Sequence, residues 1–230
     1  MIILKVIFVL LSITEQTCIV KVVFTSTGGI SFGSHGLLLR ESMFDESLHV
    51  PLLLSHPTLL PQKRKLKVPV SSIDVLPTVL DLVTGGHSVE SHTGSTYGCD
   101  GMSLMPLISN HVSKGDTDND DADADTDDND GRMDRPTVST NGKSLFAVRT
   151  KMYKLIWDTS GPGAPNRRGR TKPGNSSYAA LYNLKDDALE LHNIIDESQH
   201  QEITRQLLST LQEFWQYIDY VPQSRQPKNP

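Results

Sequence analysis

The chain is short of cysteine, with only Cys18 and Cys99 in 230 residues. Two thiols cannot define a disulfide framework, and nothing around either one supports a Cys18–Cys99 bridge, so the redox compartment is left open. Apolar residues are also sparse at 37%, which argues against a membrane protein and suits a globular body carrying long polar inserts. The longest apolar run, Met1 to Ile13 (MIILKVIFVLLSI), is too short to span a bilayer, so no transmembrane span is expected. It has the size of a signal-peptide core, but no small-x-small cleavage site follows. Three readings stay open for it: a strand and loop of the domain, a signal, or a truncated gene model.

Basic clusters of the kind that bind nucleic acid are scarce too. Lys63-Arg64-Lys65-Leu66-Lys67 has no interleaved aromatics and reads as a solvated turn, so no nucleic-acid partner is expected. The net charge of −5 is unevenly spread. Ten aspartates against Lys114, Arg132 and Arg135 give segment 113–135 a charge of −7, so the rest of the chain carries +2. Nine of those aspartates fall between Asp116 and Asp130, with no apolar residue larger than alanine among them. Like charges repel and nothing there can be buried to offset ordering, so this insert is expected to be disordered. It is not an EF-hand loop. With Gly131 at the sixth position, the first and twelfth would be Thr126 and Thr137, and both end ligands fail.

A chain of this length can bury a core as one large or two small domains. The run Ile19 to Ser26 is apolar and β-branched, of strand length, and stops at Thr27-Gly28-Gly29. A glycine-rich turn after a buried strand is where open α/β sheets collect ligands. A second strand is expected at Val50 to Leu54. Ser71 to Thr84 reads as a helix, capped by Asp74, with Pro77 in its first turn, Val75, Val79, Leu82 and Val83 on its apolar face, and Gly85-Gly86 as its stop. Glu197 to Tyr220 places Ile203, Leu207, Leu211, Phe214 and Ile218 at helical steps, with Leu208 and Trp215 beside them. Asp196 with Gln199 is its expected cap and Pro222 its end. Asn166 to Gly174 (NRRGRTKPG) reads as a basic hairpin tip, and Asn175-Ser176-Ser177 is a glycosylation sequon.

The order of short motifs resembles the sulfatase family. Val22 to Ser26 (VVFTS), Thr27-Gly28-Gly29, Gly33-Ser34-His35-Gly36, Arg40, and Phe44-Asp45-Glu46 leading to Val50-Pro51-Leu52 keep the spacing of that family's metal and sulfate segment. Downstream, Asp74-Val75-Leu76-Pro77-Thr78 is similar to its Asp-Leu-x-Pro-Thr helix, and Asp100-Gly101-Met102-Ser103-Leu104 to its Asp-Gly-x-Ser-Leu element. Ala147 to Trp157 and Leu181 to Asn193 resemble the paired strands of its small C-terminal sheet.

The resemblance implies an α/β fold, the C-terminal part of an alkaline-phosphatase-like sulfatase fold: a mostly parallel, helix-flanked sheet, then a small antiparallel sheet with a terminal helix. It implies this layout: a signal-like or irregular segment over 1–18, a partial sulfatase α/β domain over 19–112, the disordered insert over 113–135, a small-sheet subdomain over 136–222, and a tail over 223–230. Strands left unpaired in a partial domain would favour aggregation. The family cleaves sulfate esters with a formylglycine made from a Cys/Ser-x-Pro-x-Arg motif, beside a calcium held by Asp and Asn oxygens. These 230 residues contain no such motif. The family's second metal-ligand pair falls on Thr27 and Gly28, which offer no carboxylate to a hard cation. His35 matches the turn histidine, and Arg40 stands at the position of a sulfate-contacting lysine, keeping its charge with a planar donor fork. By resemblance the expected partners are a sulfate ester or a sulfated glycan, in a secreted or lysosomal setting. The expected function is a sulfatase-family chain that is truncated and catalytically incompetent. The alternative is a non-catalytic sulfated-glycan binding module using Arg40 and the 166–174 loop.

Overall fold

The structure is a computed structural model, and it describes residues 22–38, 42–56, 59–60, 65–83, 100–112, 135–142, 144–159 and 179–219. The expectations for Met1 to Ile13, both cysteines, Arg40, Lys63-Arg64, the acidic run 113–134, the 166–174 loop, the sequon and Pro222 lie outside these residues. No helix among the described residues is long and apolar enough to cross a membrane. They fall into two compact units, one of 25–51 with 136–219, the other of 22–24 with 52–135.

In the second unit, strands β1 (Val22–Thr25) and β2 (Leu52–Ser55) form a two-stranded sheet. A 3-10 turn, Ser72–Asp74, leads into helix α2 (Val75–Val83), and α3 spans Met105–Val112. The expected role of Asp74 needs correction. Ser71 occupies the cap position of the 3-10 turn, and Asp74 sits three residues on, where its Oδ2 accepts the Ser71 N–H at 2.9 Å. Its Oδ1 accepts Met102 N–H at 2.9 Å, and Arg135 Nη2 donates to Oδ2 at 2.5 Å. The side chain is fully buried, and these donors replace the water that an isolated carboxylate would lose.

The buried face of α2 is accordingly more polar than apolar spacing implies. Pro77, Thr78, Asp81 and Leu82 are buried, whereas Val75 and Val79 are half-buried. Thr78 Oγ1 donates to Asp74 O at 2.6 Å and accepts Leu104 N–H at 2.9 Å. Asp74 and Thr78 thus each hold one backbone N–H of the segment after Gly101, where an added Cβ would run into the Ile73 carbonyl. The short motif around Pro77 is a docking device for the 100–104 segment.

In the first unit, β3 (Thr137–Thr140), β4 (Leu145–Arg149), β5 (Tyr153–Asp158) and β6 (Ala179–Asn183) form an antiparallel sheet in sequence order. The stretch Ala147 to Trp157 is a hairpin rather than one strand. It turns at 150–152, closed by Thr150 N–H to Tyr153 O at 2.9 Å. Alternation along these strands sends side chains to two faces. Phe146, Val148, Leu155 and Leu181 meet Leu207 and Leu211 of helix α4 (Gln201–Tyr217), and the Phe146 and Trp215 rings lie edge to face at 5.5 Å. Leu145, Ala147, Ile156, Ala180 and Tyr182 face Met43 and Phe44. A fully buried leucine such as Leu211 contributes about 1.5–3 kcal/mol relative to exposure. The helix starts later than expected. Glu197, not Asp196, precedes its 3-10 entry turn, Gln199 Nε2 donates to Glu197 Oε2, and Ile218 lies beyond the last turn, exposed.

Candidate functional site

The loop after β1 is shaped by backbone demands. Gly29 donates its N–H to Ser47 O at 2.9 Å, and a Cβ there would collide with the Glu46 carbonyl. Only glycine allows that approach. Further on, Phe32, Gly33, His35 and Gly36 all have left-handed φ values of 44°, 100°, 52° and 71°. Two of the four carry a Cβ, so the turn holds strain that its surroundings must over-determine. Ser34 N–H to Ser31 O and Leu37 N–H to Ser34 O close it on itself. The buried hydroxyls of Ser31, Ser42 and Ser47 lie 3.2 (Ser31–Ser42), 3.3 (Ser31–Ser47) and 2.5 Å (Ser42–Ser47) apart, joining the His35 turn to the segment that carries α1.

His35 is turned inward. Its side chain is 8% exposed, its ring stacks on Phe44 at 3.7 Å and 3°, and Nε2 stands 3.5 Å from Glu46 Oε1. Helix α1 (Asp45–Leu48) supplies Glu46 and Ser47 to this loop, so α1 forms its floor.

The floor is fastened to the four-stranded sheet by a charged centre. Lys154, fully buried on β5, donates to Asp45 Oδ1 at 2.7 Å and Glu190 Oε1 at 2.6 Å. Glu190 Oε2 accepts Asp45 N–H at 2.9 Å, and Arg149 Nη1 also donates to Asp45 Oδ1. Arg149 and Lys154 are register partners across β4 and β5. Two like charges so placed repel, and the Asp45 carboxylate between them reverses the effect. Burial pushes the Asp45 carboxyl up, but Lys154 and then Arg149 outweigh it and hold it below the usual range. At Glu190 burial prevails over Lys154, with the Asp45 charge adding to it, and its carboxyl is raised.

Glu190 reaches this place through a left-handed backbone, φ 56°, which turns its side chain in while Leu189 and Leu191 stay 68% and 63% exposed. Motif spacing did not assign Lys154 or Glu190 a role. A signal was nevertheless there: a lysine inside the apolar strand MYKLIW, and a glutamate between two leucines. Charged residues are almost never fully buried unless paired.

No family model matches the chain. Arylsulfatase K of Danio rerio is 40% identical over 88 residues, 38% of this chain and 15% of that protein. The N-acetylglucosamine-6-O-sulfatase of Bacteroides thetaiotaomicron is 24% identical over 206 residues, 89% of this chain and 32% of that protein. Among solved structures, BT4656 in complex with its substrate D-glucosamine-2-N,6-O-disulfate shares the fold with a TM-score of 0.56 at 23% identity, covering 90% of this chain and 36% of that one. This chain is similar to sulfatases in sequence over part of its length and in fold. It spans 15% and 32% of the length of these two curated sulfatases, and its α/β architecture with a four-stranded antiparallel sheet and C-terminal helix is that of the sulfatase structures.

Sulfatases as a family use a metal ion, and the residues at the expected position can be tested for fit. Ser26 Oγ donates to Gly28 O at 3.1 Å and receives Gly28 N–H at 3.4 Å, while Thr27 is exposed. Residues 26–29 carry no carboxylate. One exposed neutral hydroxyl, a glycine and a serine hydroxyl already engaged with the backbone do not fit a calcium ion, which takes six to eight oxygens with carboxylates among them.

Proposed function

We infer that this chain is a sulfuric ester hydrolase scaffold that does not turn over substrate by itself. The observation that carries the reading is the Ser26–Gly29 turn, where an exposed neutral threonine and a glycine whose backbone is bonded to Ser26 Oγ stand at the positions expected for metal ligands. Sulfate-ester hydrolysis requires a barrier reduction on the order of 8–23 kcal/mol, much of it from a covalent nucleophile and a Lewis acid. The 230 residues supply no Cys/Ser-x-Pro-x-Arg nucleophile motif. His35, 92% buried against Phe44 and Glu46, cannot replace either one.

Within that scaffold, His35 and Arg40 are the groups assigned to the sulfate side of the site. A sulfated sugar is the substrate class, on the strength of a relative that acts on N-acetylglucosamine 6-O-sulfate and a neighbour with a disulfated glucosamine substrate. The test is release of inorganic sulfate from an aryl sulfate and from a 6-O-sulfated glucosamine by the purified chain, with and without calcium. The expected result is no release above buffer. Hydrolysis that survives Arg40→Ala would overturn both the incompetence and the assigned site.

A further inference from the structure

Three potential metal donors converge beneath the His35 turn. One donor atom each from His35, Glu46 and Glu190 lies within 4.8 Å of the others. We propose that these three side chains bind a divalent first-row transition ion of the zinc or manganese type, at a place distinct from the Thr27–Gly28 position.

Two independent observations point to a ligand there. Glu46 Oε2 is buried and has no hydrogen-bond partner. A carboxylate oxygen left that way is costly, and a bound ion is one of the few physical explanations for it. An open pocket lined by Asp45, Glu46, His49, Leu189 and Glu190 also reaches both glutamates from solvent, which gives an ion a way in.

The charges agree. Asp45, Glu46 and Glu190 bring three carboxylates to this place; Lys154 answers Asp45 and Glu190, and Arg149 answers Asp45. Among the described residues, Glu46 is answered by the His35 ring, at 3.5 Å. Glu190 can take part without releasing Lys154. Its Oε1 holds the ammonium and its Oε2 accepts a single N–H from Asp45, and each carboxylate oxygen has a second lone pair.

Donor type selects the metal. An imidazole nitrogen with two carboxylates suits zinc, manganese or iron better than calcium, which prefers an all-oxygen shell. Tetrahedral ligands at about 2.1 Å from zinc stand about 3.4 Å apart; the His35–Glu46 pair is already at 3.5 Å, and the widest donor separation, up to 4.8 Å, must close by up to roughly 1.4 Å. The Glu46 side chain, 31% exposed, has the freedom to move. The Phe44 ring stacked on His35 fixes the imidazole plane, as supporting contacts of metal-bound histidines do.

The experiment is calorimetric titration of the full chain with Zn²⁺, Mn²⁺ and Ca²⁺, alongside thermal melts with and without each ion and the visible spectrum with Co²⁺. The Asp-rich segment and the remaining histidines will contribute weak background, so His35→Asn and Glu46→Gln are titrated in parallel. The metal-free melts show that each variant is folded. The expected result is one tight Zn²⁺ per chain, a raised melting midpoint, and cobalt bands of a nitrogen-containing low-coordinate site. Each variant should weaken this step by more than the 10–100-fold that removing a mere supporting partner costs. Calcium binding of equal strength would overturn the proposal. So would zinc binding unchanged in both variants, or a cobalt spectrum of all-oxygen octahedral type.

Discussion

Asp74 and Asp45 sit on similar short elements, yet their charges are answered in opposite ways. Asp74 is met by the N–H groups of Ser71 and Met102, with Arg135 added from a half-exposed position. Asp45 is met by the buried Lys154 ammonium and by Arg149, from strands 109 and 104 residues further along the chain. Backbone donors are present whatever the side chains are, so the Asp74 centre tolerates some loss of charge. The Asp45 centre is an ion cluster in which removing one partner leaves the others buried and unanswered.

The sharpest way to break this contrast is Lys154→Met, which keeps the bulk and removes the charge. It should cost about 3–5 kcal/mol in urea unfolding, because Glu190 is then buried without a cation. Asp74→Asn keeps an acceptor oxygen for one of the two N–H groups and should cost less, about 1–3 kcal/mol. If the two costs came out reversed, the distinction between backbone-held and ammonium-held acids would fail.

Titration sharpens the comparison further. The Glu190 carboxyl is raised in the folded protein, so the folded state binds its proton more tightly, and stability declines as pH rises from the unfolded carboxyl value of about 4.3 through the folded one. The Asp45 carboxyl is lowered, so its contribution is present above about 3.9 and is lost as pH falls through the folded value. Melting midpoints between pH 3 and 8 should therefore show Glu190→Gln flattening the decline above pH 4 and leaving the acid-side loss in place. At the small end, Arg205→Ala breaks only an exposed pair with Glu202 on α4 and should change stability by less than about 0.5 kcal/mol.

The same contrast explains what could be read in the sequence. The Asp74 motif was legible because its partners are close: Ser71 and Thr78 lie within one turn on either side, and Pro77 marks the helix start. Its exact role was misassigned, since spacing alone does not distinguish the capping residue from the acid three positions later. Helix α4 was legible from the steps through Leu207 and Leu211, whereas its first residue was not, because the 3-10 turn at Ser198–His200 carries no distinct pattern. The Lys154–Asp45–Glu190 centre was not legible, since residues so far apart meet only through strand register and the left-handed turn at Glu190. Gly29 was visible as a turn glycine, but its close approach to Glu46 is a property of the fold.

One coupling is central: the four-stranded sheet holds the His35 turn in place through Lys154, Asp45 and the Ser47–Gly29 bond. Site-resolved amide hydrogen exchange on the parent chain and on Lys154→Met tests it directly. Gly29 and Leu37 should exchange roughly a hundredfold faster in the variant, the equivalent of about 3 kcal/mol. Amides in the middle of α4, on the opposite face of the sheet, should change much less. Equal acceleration in α4 and the turn, or undiminished protection of Gly29, would contradict the coupling.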